Sequence, residues 1–187
     1  METLRLYFDN FLKLNDIEWA DFEKCIVKKQ IVKNEQILKQ GEYCNFIAFI
    51  HEGSFRFYYD KDGEEKITAF NFKGNFVTNY RSFLSGQPSD HYIQALQDSL
   101  IYVINLKDLQ SLYDKHKNLE RLGRLIAENL YLTVANRLDS FMFQTPAERY
   151  KDLIERNSRL LQEIPQYMIA SYLGVKPETL SRIRTRK

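Results

Sequence analysis

Five glycines, Gly41, Gly53, Gly63, Gly74 and Gly86, recur at intervals of ten to twelve residues through the first half of this chain. Short runs rich in Ile, Val, Phe and Tyr lie among and after them, at Gln30–Lys33, Phe46–Ile50, Phe55–Tyr59, Lys66–Phe72 and Leu100–Ile104. Branched and aromatic residues in runs this short, separated by residues that accept a positive φ, fold as antiparallel strands joined by tight turns. Lys61-Asp-Gly-Glu64 carries the Asp-Gly pair of a two-residue hairpin. The predicted product is a small antiparallel barrel or jelly roll. A packed barrel that holds no ligand would show the same pattern.

Helical periodicity flanks this region. Leu4, Phe8, Phe11, Leu12, Ile17 and Phe22 recur at helical spacing within residues 2–24, and Asn15 is placed to cap a helix beginning at Asp16 and Glu18. After Asn105 the helical pattern returns and persists. Leu119, Leu122, Ile126, Leu130, Val134, Leu138 and Phe141 form a stripe at spacings of three and four, widened by Leu125 and Leu132. One helix over about 116–142 would carry more apolar surface than a small barrel can cover, which predicts a second copy of the same helix against it. Asn129 and Asn136 are placed to set the register of such a pair, and equally to face solvent. A helix folded wholly onto its own barrel is the alternative. Thr145-Pro146 breaks the pattern and starts another helix at Ala147. The expected organisation is a barrel over 1–115, a dimerisation helix over 116–143 and a further helical domain over 144–187.

That last domain contains Gln166–Arg184, which reads as a helix-turn-helix. Ile169, Ala170 and Leu173 give the first helix an apolar face, Gly174 ends it, and Pro177 suits the first turn of the second. Glu178, Ser181, Arg182 and Thr185 then share one solvent-facing stripe, while Leu180 and Ile183 turn inward towards Leu173 and Val175. Such a helix fits the DNA major groove. An ordinary helical hairpin is the alternative for this segment taken alone. Residues 165–187 hold five basic residues against one acidic, a balance of +4, whereas the remainder holds 22 against 24. A basic end on a slightly acidic body suits contact with phosphates.

Composition excludes several classes. A hydrophobic fraction of 44% supports a real core. No apolar run has the length of a membrane span, and Met1-Glu-Thr-Leu-Arg lacks the character of a secretory signal, which predicts a cytoplasmic protein with no membrane partner. Cys25 and Cys44 stand far apart without Cys or His companions at ligand spacing, so two reduced thiols are expected and no metal, zinc or iron–sulfur site. A cupin-type enzyme needs a His/Glu metal set, and His51 and His91 lack its spacing, so no enzyme is expected.

Barrel, long helix and C-terminal helix-turn-helix, in that order, resemble the cyclic-AMP receptor/fumarate-nitrate regulator superfamily of bacterial transcription factors. The most specific pieces are Thr145-Pro-Ala-Glu-Arg-Tyr150 and Ile169-Ala-x-x-Leu-Gly-Val-x-Pro-Glu-Thr-Leu-Ser-Arg182. The resemblance implies an α+β fold: an N-terminal antiparallel jelly roll like that of cyclic-nucleotide-binding domains, a dimerisation helix, and a helix-turn-helix lacking most of its wing. It also implies base reading by Glu178, Ser181 and Arg182, the fumarate-nitrate pattern, on an inverted repeat of TTGA type. Lys176, Thr179, Arg184 and Arg186 would contact phosphates, and two recognition helices would enter grooves about 34 Å apart. The dimer helix would use Leu119, Leu122, Ile126, Leu130, Val134 and Leu138.

The sensor half departs from the family's best-known pattern. Cyclic-nucleotide-binding relatives grip the ribose with a Gly-Glu pair and the cyclic phosphate with an Arg-Ser pair. Here Thr78-Asn79 and Ser89-Asp90 fall on those positions, and Val134 and Ala135 replace the polar pair that the long helix offers the base. Losing the arginine forfeits roughly 1.5–3 kcal/mol of charge-assisted hydrogen bonding, and Asp90 adds repulsion. Cyclic AMP is therefore not expected. Arg81 lies nearby and is read as a surface arginine rather than a ligand for another anion. Haem sensing lacks an axial-ligand pattern, since His51, His91 and His116 are isolated, and an iron–sulfur sensor lacks its cysteines. The expected partners are double-stranded DNA, a second copy of the chain, RNA polymerase and an effector of unassigned chemistry. A small-molecule-binding module whose helical tail serves protein contact is the competing reading.

Overall fold

The structure, a computed structural model, describes residues 1–156 and 160–185. They divide into two compact units, Met1–Tyr59 with Ala69–Glu128, and Asp60–Thr68 with Asn129–Lys187.

The first unit opens with helices α1 (Glu2–Asp9) and α2 (Asp16–Lys24). Asn15 caps α2 as its sequence predicts. Its side chain accepts from Ile17 N at 3.0 Å and Glu18 N at 2.9 Å, and the Glu18 carboxylate returns to Asn15 N at 2.9 Å. Eight strands follow in two sheets of four: β1 (Val27–Ile31), β2 (Gln36–Leu38), β3 (Phe46–Glu52), β4 (Ser54–Lys61), β5 (Glu64–Phe72), β6 (Phe76–Val77), β7 (Tyr92–Ala95) and β8 (Ser99–Asn105). One sheet runs β1-β8-β3-β6 and the other β2-β7-β4-β5. The antiparallel register is direct in Val27↔Val103, Ala48↔Val103 and Phe57↔Ile93. Phe49, Ile50, Phe55, Val77, Ile93 and Ile101 are almost wholly buried and make the core of this β-rich unit. Phe8, Trp19 and Phe22 extend it through edge-on and tilted ring contacts with centroids 5.2 to 6.2 Å apart.

All five glycines take positive φ, and the Asp62-Gly63 turn, with φ of 56° and 80°, is the twisted two-residue hairpin that its sequence signals. Gly86 differs in role. It ends a short helix, α3 (Tyr80–Ser85), rather than joining two strands.

The helical region after Asn105 begins with α4 (Leu106–Lys115), and then α5 (Lys117–Phe143) runs through the boundary between the units. Near its start, Lys115 Nζ at 2.6 Å and His116 Nε2 at 3.0 Å meet the Asp21 carboxylate, which Lys24 Nζ also reaches at 3.0 Å. These bonds, that from Lys115 foremost, hold the Asp21 carboxyl well below the usual carboxylate range. A depressed folded-state pKa stabilises the fold above the ordinary value of about 3.9, and the stabilisation fades as pH falls through the folded value. Urea midpoints of Asp21→Asn and the parent should therefore differ at about pH 5 and converge towards about pH 2.

The dimer stripe requires a correction in its first turns. Leu119 and Leu122 are each 2% exposed and belong to the chain's own core, with Ile126 packed at its edge. Leu119 and Leu122 are spent on intramolecular packing and leave no surface for a partner. The exposed part of the stripe begins at Leu130 and includes Val134 and Leu138, both 59% exposed.

The second unit joins the tip of the β4–β5 hairpin to the end of α5 and to α6 (Pro146–Arg156), α7 (Leu160–Glu163), α8 (Gln166–Leu173) and α9 (Pro177–Thr185). Thr145 and Glu148 cap α6 reciprocally, with Thr145 N donating to Glu148 Oε2 at 2.8 Å and Glu148 N to Thr145 Oγ1 at 3.3 Å. On α8, the Ser171 hydroxyl accepts from Ile67 N at 2.9 Å and donates to Glu65 O at 3.3 Å, so one side chain serves two groups along β5, the end strand of its sheet.

Candidate functional site

The α8–α9 pair is built on a small apolar centre. Met168, Ile169, Ala170 and Leu173 of α8 and Leu180 of α9 are buried, with Leu160 and Ile164 alongside them in the fully packed set. Gly174 ends α8 in the left-handed region at φ 71°, and Val175 N closes back on Ala170 O at 3.0 Å. A Cβ at residue 174 would lie 3.3 Å from Phe141 Cε1. Gly174→Ala thus adds a tight contact to a backbone that costs a non-glycine residue about 1–2 kcal/mol, and thermal unfolding should show a loss of at least that size.

Glu178, Ser181, Arg182 and Thr185 are exposed on α9, opposite Leu180. Lys176, Thr179 and Arg184 are exposed as well, and Arg186 lies outside the described residues. Thr185 is turned back onto its own helix, its hydroxyl donating to Ser181 O at 3.2 Å and Arg182 O at 3.1 Å. Val175 and Ile183 are half-buried rather than central.

In the first unit, the positions named for the effector site are occupied by one another. Thr78 Oγ1 donates to Phe46 O at 2.7 Å. Asn79, buried, caps α3 through Ser82 N at 3.0 Å and donates Nδ2 to Ser89 Oγ at 2.7 Å. The Ser89 hydroxyl in turn donates to His91 O at 2.7 Å. Asp90 sits between His91 Nδ1 at 2.6 Å and Arg81 Nη1 at 3.0 Å. Desolvation pulls the Asp90 carboxyl upwards, yet the bonds from His91 and Asn79 leave it below its ordinary value, hence negative at neutral pH. Arg81 is exposed, as its sequence context predicts, but it is the ion partner of Asp90, a pairing across nine positions that no motif signals. Val134 and Ala135 lie on the part of α5 that belongs to the second unit. Among the described residues no group of His, Cys, Asp and Glu is placed to hold a metal ion. Cys25 and Cys44 are free thiols, His51 stacks on Tyr102 at 5.0 Å, and no described helix is long and apolar enough to cross a membrane.

Residues 28–116 match the cyclic nucleotide-binding domain family. The chain is 27% identical to the anaerobic regulatory protein of Haemophilus influenzae, with 91% of this chain and 70% of that protein covered. Its fold is similar to that of a putative transcriptional regulator of the Crp/Fnr family from Eubacterium rectale, with a TM-score of 0.73 at 15% identity over 98% of this chain and 86% of that one. In sequence and in fold the chain is thus similar to regulators of the Crp/Fnr type. FixK2 from Bradyrhizobium japonicum is similar in fold too, with a TM-score of 0.71 at 22% identity over 86% of this chain and 83% of that one. Within this chain two features escape motif reading. They are the Asn79–Ser89–Asp90–Arg81 network and a cluster around Arg149, both formed by side chains that meet only after folding.

Proposed function

We propose that this chain is a homodimeric transcription regulator of the Crp/Fnr type that binds double-stranded DNA through an inverted pair of TTGA-type half-sites. The observation that carries the reading is α9 itself, with Glu178, Ser181 and Arg182 exposed on one side and Leu180 only 1% exposed on the other. Glu178 can accept from a cytosine amino group and Arg182 can bridge guanine O6 and N7. Lys176, Thr179 and Arg184 supply phosphate contacts, and Arg186 is assigned the same role. The helix-turn-helix forms the DNA-binding domain over 144–187, the dimerisation helix covers 116–143, and the sensor covers 1–115. Exposed Leu130, Val134 and Leu138 support self-association through the second half of α5.

The sensor is read as unresponsive to cyclic AMP. Its support is the network above, in which Asn79 and Ser89 already satisfy one another and Asp90 presents negative charge where a cyclic phosphate would sit. Haem and iron–sulfur clusters are not assigned. A different small molecule and RNA polymerase complete the set of partners.

Fluorescence anisotropy on an inverted TTGA repeat and on a scrambled duplex, at several salt concentrations, tests the central claim. Selective binding with a steep log–log salt dependence is expected. Equal, weak, salt-insensitive binding to both would instead assign the chain to small-molecule binding with a helical tail for protein contact.

A further inference from the structure

The end of α5 carries a stack of four side chains. The Arg137 guanidinium lies 3.8 Å from the centroid of the Tyr172 ring and 5.1 Å from that of Phe141. The Arg149 guanidinium lies 4.7 Å from the same Phe141 ring. One aromatic ring on the last turns of α5 is thus shared by two cations, from α5 and α6. That ring also abuts the turn between α8 and α9, as the 3.3 Å approach to a Cβ at Gly174 records.

Arg149 does more than stack. Its Nη1 donates to Gln144 O at 2.7 Å, just beyond α5, and its Nη2 donates to Leu173 O at 3.0 Å, the last residue of α8. Both carbonyls belong to the set that a helix leaves unpaired at its C-terminus, where the dipole is negative. A planar guanidinium presents separate donors in a fixed fork, which a lysine ammonium cannot reproduce. From its place on α6, Arg149 therefore ties the end of α5 to the end of α8. Arg137 adds a weaker bond to Tyr172 O at 3.4 Å.

We propose that Arg149 is a positioning residue that fixes the angle of the α8–α9 pair against α5, and so sets the spacing of the half-sites the dimer reads. This rests on the DNA-binding reading above. Successive base pairs rise by about 3.4 Å, so a small rotation at the α5–α6 junction carries α9 out of register with its base edges. Gln144 Nε2 also ties the junction to α6 through Asp152 Oδ2 at 2.7 Å, and the Arg149 bridge adds the link from that junction to the end of α8.

The test uses the full chain with inverted repeats whose spacers differ by one or two base pairs. The parent should prefer one spacer by roughly tenfold, the scale of a misplaced base contact. Arg149→Ala should flatten that preference while still distinguishing TTGA from a scrambled half-site, and Arg149→Lys should fall between them. A merely structural role would weaken all spacers alike. A second measurement needs no DNA: spin labels at Asp139→Cys and Gln166→Cys in a Cys25→Ser chain, diluted with unlabelled protein. The distance distribution should broaden in both Arg149 variants, and the lysine variant serves where the alanine variant fails to fold. An unchanged spacer preference, or a distribution as narrow as the parent's, overturns the proposal. If the parent itself binds no inverted repeat, the DNA reading fails and the label distances alone decide whether Arg149 fixes the angle.

Discussion

Leu122→Ala is expected to destabilise the chain by about 2–5 kcal/mol, the cost of emptying a well-packed leucine site. Leu138→Ala should change unfolding by no more than about 0.5 kcal/mol when measured on dissociated protein. The two residues sit on one periodic stripe of one helix, and only their environments separate them. Leu122 is 2% exposed against the core of the first unit, whereas Leu138 is 59% exposed. Under the dimer reading the order reverses in sedimentation: Leu138→Asp should shift the chain towards monomer and leave the far-ultraviolet spectrum intact. Leu122→Ala should lower the urea midpoint by the same amount across protein concentrations, because its loss is intramolecular. A concentration-dependent midpoint shift for Leu122→Ala, with none for Leu138→Asp, would return Leu122 to the interface.

That contrast shows where sequence reading reaches its limit in α5. Period 3.6 places Leu119 to Leu138 on one side of a helix, and the helix forms over Lys117–Phe143, within a residue of the expected bounds. Periodicity does not say which apolar surface lies opposite at each turn. The Asn15 cap was legible for a physical reason: its bonds to Ile17 and Glu18 span two and three positions, so sequence spacing is already spatial proximity. The Asp62-Gly63 turn was legible likewise. β2, β6 and β7 were not, being two to four residues long, too short to show alternation. Nor was α3, whose six residues, Tyr80–Ser85, are too few to establish a period. In the candidate site, the α9 stripe follows from local spacing, and the Asn79–Ser89 and Arg149–Leu173 bonds do not, spanning 10 and 24 positions.

Arg182→Ala is expected to cost about 1–3 kcal/mol of binding to the inverted repeat and to relax preference at a single guanine in each half-site. Lys176→Ala should weaken cognate and scrambled duplexes by the same factor and lower the salt slope by about one per chain. The two cations differ in what they can reach. Arg182 is exposed on the face of α9 opposite buried Leu180, and its fork can engage two acceptors on one base. Lys176 is exposed at the residue before α9, where, under the DNA-binding reading, its point charge and the positive helix end would meet phosphate. Its charge also bears on Glu64, whose carboxyl is held below its ordinary range first by Lys66 and in smaller part by Lys176. Glu64 is exposed and solvent-screened, so this pairing should cost Lys176 little of its affinity for phosphate. Anisotropy with single-base substitutions at every half-site position separates the roles. Equal losses from the two variants on every duplex would contradict both assignments, because a base contact must discriminate and a phosphate contact cannot.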